Sequence, residues 1–271
     1  IYPDKNNYKY RELYSYLYAG KVDEFFSKVR LLDDKDIQFT STDNAFGDGY
    51  LVKGDYESAK KRYSKLLNTA ETKLDALVNL RTLSIYTGDY NEFLSISDQI
   101  INYGISNNDY GVYISDLARR AYTLILTFEK FEEAEKIIAE MEKIFKDKSD
   151  EISFNNMDVW SKLMIINSYK YLNKWSKADE YVEASFGNLS DINLFDKALK
   201  AKQEGRFEDA IIFYLESLKS SDFNQFTINY DLAQCYMKLN DYQNAVKYFD
   251  AMKNVTYWGQ GHMKRFYHAK N

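Results

Sequence analysis

Proline is almost absent from this 271-residue chain, which has one, and glycine is sparse at eleven. Little is left to break helices or to build linkers, which favours an all-α fold. A single cysteine, Cys235, excludes an intrachain disulfide and leaves the redox compartment unread. The two histidines, His262 and His268, stand six residues apart and so on different faces of a helix. Helical metal ligands are spaced by four, so neither metal nor cofactor is expected. No stretch of eighteen apolar residues exists, so no membrane-spanning helix is expected. With a net charge of -5 the chain lacks the basic footprint of a nucleic-acid binder.

What is present in quantity is tyrosine, 25 residues, and asparagine, 21. Asparagine weakens intrinsic helix propensity, so packing between helices has to compensate. Hydrophobic residues at 45% and charged residues at 28% are ordinary for a folded domain. The chain begins at Ile1 rather than Met, which reads as an excised or processed piece with any leader, anchor or upstream domain out of sight.

One short phrase recurs along the chain. The copies are Gly54-Asp-Tyr-Glu-Ser-Ala59, Gly88-Asp-Tyr-Asn-Glu-Phe93, Glu129-Lys-Phe-Glu-Glu-Ala134, Asn173-Lys-Trp-Ser-Lys-Ala178, Gly205-Arg-Phe-Glu-Asp-Ala210 and Asn240-Asp-Tyr-Gln-Asn-Ala245, with a weaker one at Gly20-Lys-Val-Asp-Glu-Phe25. Their spacings of 34, 34, 41, 44, 32 and 35 mark an array of helical hairpins. The first slot is Gly or Asn in six of seven copies, the residues that best tolerate the left-handed conformation ending a helix. Two residues on comes Val22, Tyr56, Tyr90, Phe131, Trp175, Phe207 or Tyr242, expected to wedge between the helix just ended and the next. Three further on, Ala59, Ala134, Ala178, Ala210 and Ala245 let two helices approach; Phe25 and Phe93 replace alanine there and predict a wider splay. The slot four before the turn, mostly tyrosine (Tyr16, Tyr50, Tyr169, Tyr236), reads as structural. Polar stretches at Asn102 to Tyr110 and Lys146 to Asn156 are the expected loops, and the helices of the longer units turning at Glu129 and Asn173 are expected to be extended.

These features resemble the tetratricopeptide repeat (TPR) family, whose local signature is Gly-x-aromatic-x-x-Ala; Gly47 and Tyr50, seven and four before Gly54, fit its first-helix pattern. The resemblance covers roughly residues 6 to 252, and the proline that commonly closes a family repeat is missing. It implies a single right-handed α-α superhelix over residues 1–271, a TPR-like solenoid of about seven hairpins turning near Gly20, Gly54, Gly88, Glu129, Asn173, Gly205 and Asn240. Residues 257–270 read either as a capping helix or as the start of a truncated further repeat.

The resemblance further implies a concave groove lined by the first helix of each hairpin and holding a peptide. Carried over by spacing, its exposed positions include Tyr10, Tyr14, Asn44, Asp48, Thr82, Tyr86, Arg119, Thr123, Asn167, Tyr171, Tyr230 and Gln234. Tyrosine and amide surfaces suit adaptable polar contacts, although such tyrosines equally serve to pack adjacent first helices. The family's two-carboxylate clamp is not reproduced, since only Asn167 matches a clamp asparagine, and chaperone-tail binding is disfavoured.

No catalytic set accompanies the array. Cys235, among Leu232, Tyr236 and Leu239, reads as a small buried hydrophobe without a nearby histidine. Gly47-Asp-Gly49 and Gly259-Gln-Gly261 are too short for a phosphate loop, and the acidic runs Asp33 to Asp36 and Glu132 to Glu135 read as solvated faces. The basic end after residue 253 and the glycosylation triplets at Asn188 and Asn254 are weak signals. The expectation is a non-enzymatic scaffold binding a protein or peptide segment. The alternative is a regulatory or substrate-docking arm of a larger enzyme or sensor, such as a kinase, transcription regulator or glycosyltransferase.

Overall fold

The computed structural model describes residues 12–17, 19–32, 41–186, 194–220 and 225–252. Among these there is no strand, and the fold is all-α as expected. The helices are α1 (residues 12–17), α2 (Val22–Val29), α3 (Thr42–Lys53), α4 (Tyr56–Lys65), α5 (Ala70–Thr87), α6 (Tyr90–Ser106), α7 (Tyr110–Leu126), α8 (Phe131–Asp147), α9 (Val159–Tyr171), α10 (Trp175–Phe186), α11 (Leu194–Gln203), α12 (Phe207–Ser220), α13 (Gln225–Lys238) and α14 (Tyr242–Ala251). The chain divides into two compact units whose boundary, between Ile100 and Ile101, falls inside α6. None of the described helices is long and apolar enough to cross a membrane.

All seven residues predicted to reverse the chain are left-handed: Gly20, Gly54, Gly88 and Gly205 at φ 72, 79, 71 and 75, Glu129, Asn173 and Asn240 at 55, 58 and 60. Six of them close their helix with one pair of hydrogen bonds. The turn residue donates to the carbonyl three back and its successor to the carbonyl five back, as in Gly54 N to Leu51 O (3.1 Å) and Asp55 N to Tyr50 O (2.9 Å). At Glu129, the one turn that is neither Gly nor Asn, Lys130 reaches further back, to Leu124 O at 2.9 Å. The aspartate that often follows the turn starts the next helix: Asp55, Asp89 and Asp241 accept from the backbone N–H of Ser58, Glu92 and Asn244 at 3.1, 2.9 and 3.1 Å. One dipeptide thus ends one helix and caps the next.

Consecutive helices pack across these turns, α3 on α4 in the first unit and α7 on α8, α9 on α10, α11 on α12 and α13 on α14 in the second. The five alanines sit buried in these seams, and Phe25 on α2 and Phe93 on α6 are buried as well. Residues four before and eight after a turn repeatedly meet. Tyr169 stacks on Tyr181 with centroids 5.3 Å apart, Tyr236 on Tyr248 at 5.5 Å, and Lys28 lies over the Tyr16 ring at 5.7 Å. The tyrosine slot is therefore structural, as its recurrence predicts.

Two expectations need correction. The aromatic after the turn does not wedge within its own pair in every copy, because Phe131 and Tyr242 are 46% and 62% exposed. Trp175 shows what this position faces: its indole N–H donates to Gln203 Oε1 at 3.0 Å, on the first helix of the next pair. Its burial depends on the following helix rather than on its own turn. The expected loop at Asn102 to Tyr110 is mostly helix, since α6 runs to Ser106 and reverses at Asn108 (φ 54), after which Asp109 caps α7 through Val112 N at 3.0 Å. The second polar stretch does form a connection, from Lys148 through a short 3₁₀ turn at Phe154–Asn156. The helices of the unit turning at Glu129, α7 and α8, are extended to 17 residues each, but those of the unit turning at Asn173 are not: α9 and α10 have 13 and 12 residues, and the extra length there lies in the connection between Asp147 and Val159.

Tyr10, Asp33 to Asp36, Asn188, Asn254, Gly259, Gly261, both histidines and the helix expected at 257–270 lie outside the described residues.

Candidate functional site

The positions expected to line a groove fall into two kinds. In the first unit they are spent on holding helices together. Tyr14 and Asp48 are buried, not exposed as expected: the Tyr14 hydroxyl donates to Asp48 Oδ2 at 2.6 Å, and Tyr63 donates to Oδ1 at 2.7 Å. Burial raises the Asp48 carboxyl from its ordinary value to about 6, more than the two hydroxyls lower it. Burial and the neighbouring carboxylate together push the Tyr63 phenol up. Tyr14 also lies edge-on to Phe25 in the core that Leu13, Leu17, Phe26 and Val29 complete. Asn44, half-buried, accepts from the amide of Asn79 on α5. Thr82 donates to the Val78 carbonyl of its own helix at 2.9 Å, and Tyr86 is half-buried on the same helix. At Tyr14, Asp48 and Asn44, then, the side chain meets a neighbouring first helix rather than solvent alone.

In the second unit the same work is done by residues that sequence reasoning missed. Lys170 on α9 pairs with Asp196 on α11 at 2.7 Å, and Lys202 on α11 pairs with Asp231 on α13 at 2.7 Å. Each lysine stands three residues before its turn and each aspartate nine before the next. This repeated spacing was the available signal. Lys202 also donates to Gln234, one of the expected groove residues, and Tyr214 donates to Asp231 at 3.3 Å. Gln203 bridges the same pair of helices, its amide donating to the Lys170 and Tyr171 carbonyls at 2.8 and 3.3 Å. Tyr230 is buried against Phe249 and Met252 rather than exposed, and its hydroxyl reaches Glu129 Oε1 at 3.4 Å.

Arg119, Thr123 and Asn167 are the exception. Arg119 and Thr123 are one turn apart on α7, Asn167 lies on α9, and α7 packs directly on α9. Thr123 is more enclosed than expected, at 7% exposure, while Arg119 and Asn167 are half-buried. None of the three side chains makes a hydrogen bond or ion pair with the described residues. Burial lowers the Arg119 pKa, and the field of Asp158 opposes this. Asp158 does not pair with it, because its oxygens are committed at the start of α9. Oδ1 accepts from Ser161 N at 3.0 Å, and Oδ2 from the hydroxyls of Ser161 (2.6 Å) and Ser115 (3.3 Å). Burial raises the Asp158 pKa, yet these hydrogen bonds outweigh it and hold the carboxyl below its ordinary range.

Within the second unit, then, α7 and α9 carry a guanidinium, a hydroxyl and an amide that are partly desolvated and have no hydrogen-bond or ion-pair partner among the described residues. Such groups cost stability when buried unpaired, and a bound molecule would satisfy them. The side chains present can recognise an extended polar segment by hydrogen bonding. No protein-family model matches the chain, and no curated protein matches it.

Proposed function

We propose that the chain is a non-enzymatic interaction scaffold, a TPR-like right-handed superhelix of α-α hairpins whose first-helix face holds a protein or peptide segment. The turn phrase supports the repeat reading, because a left-handed residue recurs at all seven turns, the same pair of closing hydrogen bonds at six of them and a capping aspartate at three. The lysine–aspartate pairs support it too, linking successive first helices in one register. The observation that carries the binding reading is the contrast between groove positions. Tyr14, Asp48, Asn44 and Gln234 give their polar atoms to neighbouring helices, whereas the side chains of Arg119, Thr123 and Asn167 pair with none of the described residues. The binding face is therefore centred on α7 and α9.

A random-peptide display library selected on the full chain tests this. Wild type is expected to enrich a set of related peptides, and the double variant Arg119→Glu with Asn167→Ala to lose them. Recovery of the same peptides by the double variant would remove the α7–α9 face from consideration.

A further inference from the structure

We infer that the segment bound on this face presents an aspartate or glutamate side chain, whose carboxylate seats on Arg119 while Thr123 and Asn167 supply flanking hydrogen bonds. The inference rests on the binding reading above and names the chemistry of its ligand.

Arg119 fixes the sign of the ligand. A guanidinium carries five donors in a planar fork that matches the two oxygens of a carboxylate, and here none of them is used by the described residues. The carboxylate whose field acts on it, Asp158, is held at the head of α9 by three hydrogen bonds and does not pair with the fork. A half-buried cation beside a fixed anion at a distance is partly balanced already. It can accept one further negative charge but is poorly matched to two, since the second would face the Asp158 field without a partner. That favours a carboxylate over a phosphate monoester, which carries about −1.5 to −2 at neutral pH.

Thr123 and Asn167 explain why the ligand is a peptide rather than a free acid. A hydroxyl and a primary amide, one on each of two packed helices, offer both donors and acceptors and so can meet the backbone N–H and C=O groups beside an acidic side chain. A lone carboxylate would leave the acceptor oxygens of both groups unmatched.

The test uses the peptides enriched by wild type. Their sequences are expected to share an Asp or Glu, and a synthetic peptide with that residue changed to Asn or Gln should bind wild type about ten- to a hundred-fold more weakly by calorimetry, the range of a charged hydrogen-bonded pair. Against Arg119→Gln, the acidic peptide and its amide counterpart should bind within a few-fold of each other. A phosphoserine replacement should bind no tighter than the acid. Because Arg119 has no hydrogen-bond or ion-pair partner among the described residues, Arg119→Gln should keep the far-ultraviolet spectrum and melting temperature of wild type, and an altered fold would count against an open fork. Enriched peptides without a shared acid, lost by the double variant, would overturn the carboxylate while leaving the binding face standing. Failure to enrich any peptides would overturn both.

Discussion

Tyr63 closes over Asp48 from the next helix, its hydroxyl 2.7 Å from Oδ1 and its ring where a side chain at position 47 would be. Asp48 is consequently a carboxylate whose charged form burial disfavours. Its pKa is raised to about 6 from 3.8, so between these values the folded protein holds a proton that the unfolded chain has released. The sign follows: this group's contribution to stability falls as pH rises from 4 to 6 and is fully unfavourable above. Asp48→Asn removes the charge and keeps one acceptor and one donor for Tyr14 and Tyr63. In urea unfolding, the variant should gain on wild type by about 1–3 kcal/mol between pH 4 and pH 7. A difference that does not change with pH would show that Asp48 titrates normally.

Gly47 is the other half of the same contact. A Cβ built there lies 2.3, 2.6 and 2.8 Å from three atoms of the Tyr63 ring, which is itself buried and tied to Asp48. Alanine is the better helix former by roughly 1 kcal/mol, so on a free helix Gly47→Ala would stabilise. Here overpacking decides, at about 1–3 kcal/mol of destabilisation net of that gain. A lower melting temperature for Gly47→Ala is the expected reading, and a raised one would mean that the ring moves aside freely.

The turns were legible because one residue marks most of them: a left-handed backbone favours Gly or Asn, and the chain supplies them at Gly20, Gly54, Gly88, Gly205, Asn173 and Asn240, with Glu129 the exception. Asn108-Asp109-Tyr110 spells the same signal as Asn240-Asp241-Tyr242, yet its polar neighbours suggested a loop. Tyr14 and Asp48 could not be separated from Arg119 and Asn167 by spacing, for the four share the first-helix positions that face a neighbour or solvent. Which of the two a side chain meets depends on a partner supplied by another hairpin. The partner is Asp48 for Tyr14, and there is none among the described residues for Arg119.

The two lysine–aspartate pairs should not behave like the ion pairs on the surface. The Asp231 side chain is only 2% exposed, and removing Lys202 leaves it enclosed with one weak donor, the Tyr214 hydroxyl at 3.3 Å. Lys202→Met should destabilise by about 2–4 kcal/mol, less than a fully buried pair because the lysine is itself partly exposed. Lys148 and Glu151, each 45% exposed at 2.8 Å, should show little measurable loss of stability when the lysine is replaced. Replacing both Lys202 and Asp231 by Met and Leu should recover much of the loss. Equal effects for Lys202→Met and Lys148→Met in denaturant melts would rule out a stabilising ladder.

Cys235 offers a probe of the second unit's opening. It is fully buried one turn beyond Asp231, and burial pushes its thiol up to about 12, against a small downward pull from Lys202. Only the thiolate reacts, so at neutral pH the pKa alone suppresses alkylation by roughly a thousand-fold relative to an exposed cysteine. Burial in the core formed with Ala201, Tyr214 and Leu232 suppresses it further, because a maleimide has no path in without separating α12 from α13. Labelling by a maleimide should therefore be slow in native buffer and rise with urea along the unfolding curve of the second unit. If it rises well before that curve, the α12–α13 seam opens locally. A native rate like that of free cysteine would contradict the buried placement altogether.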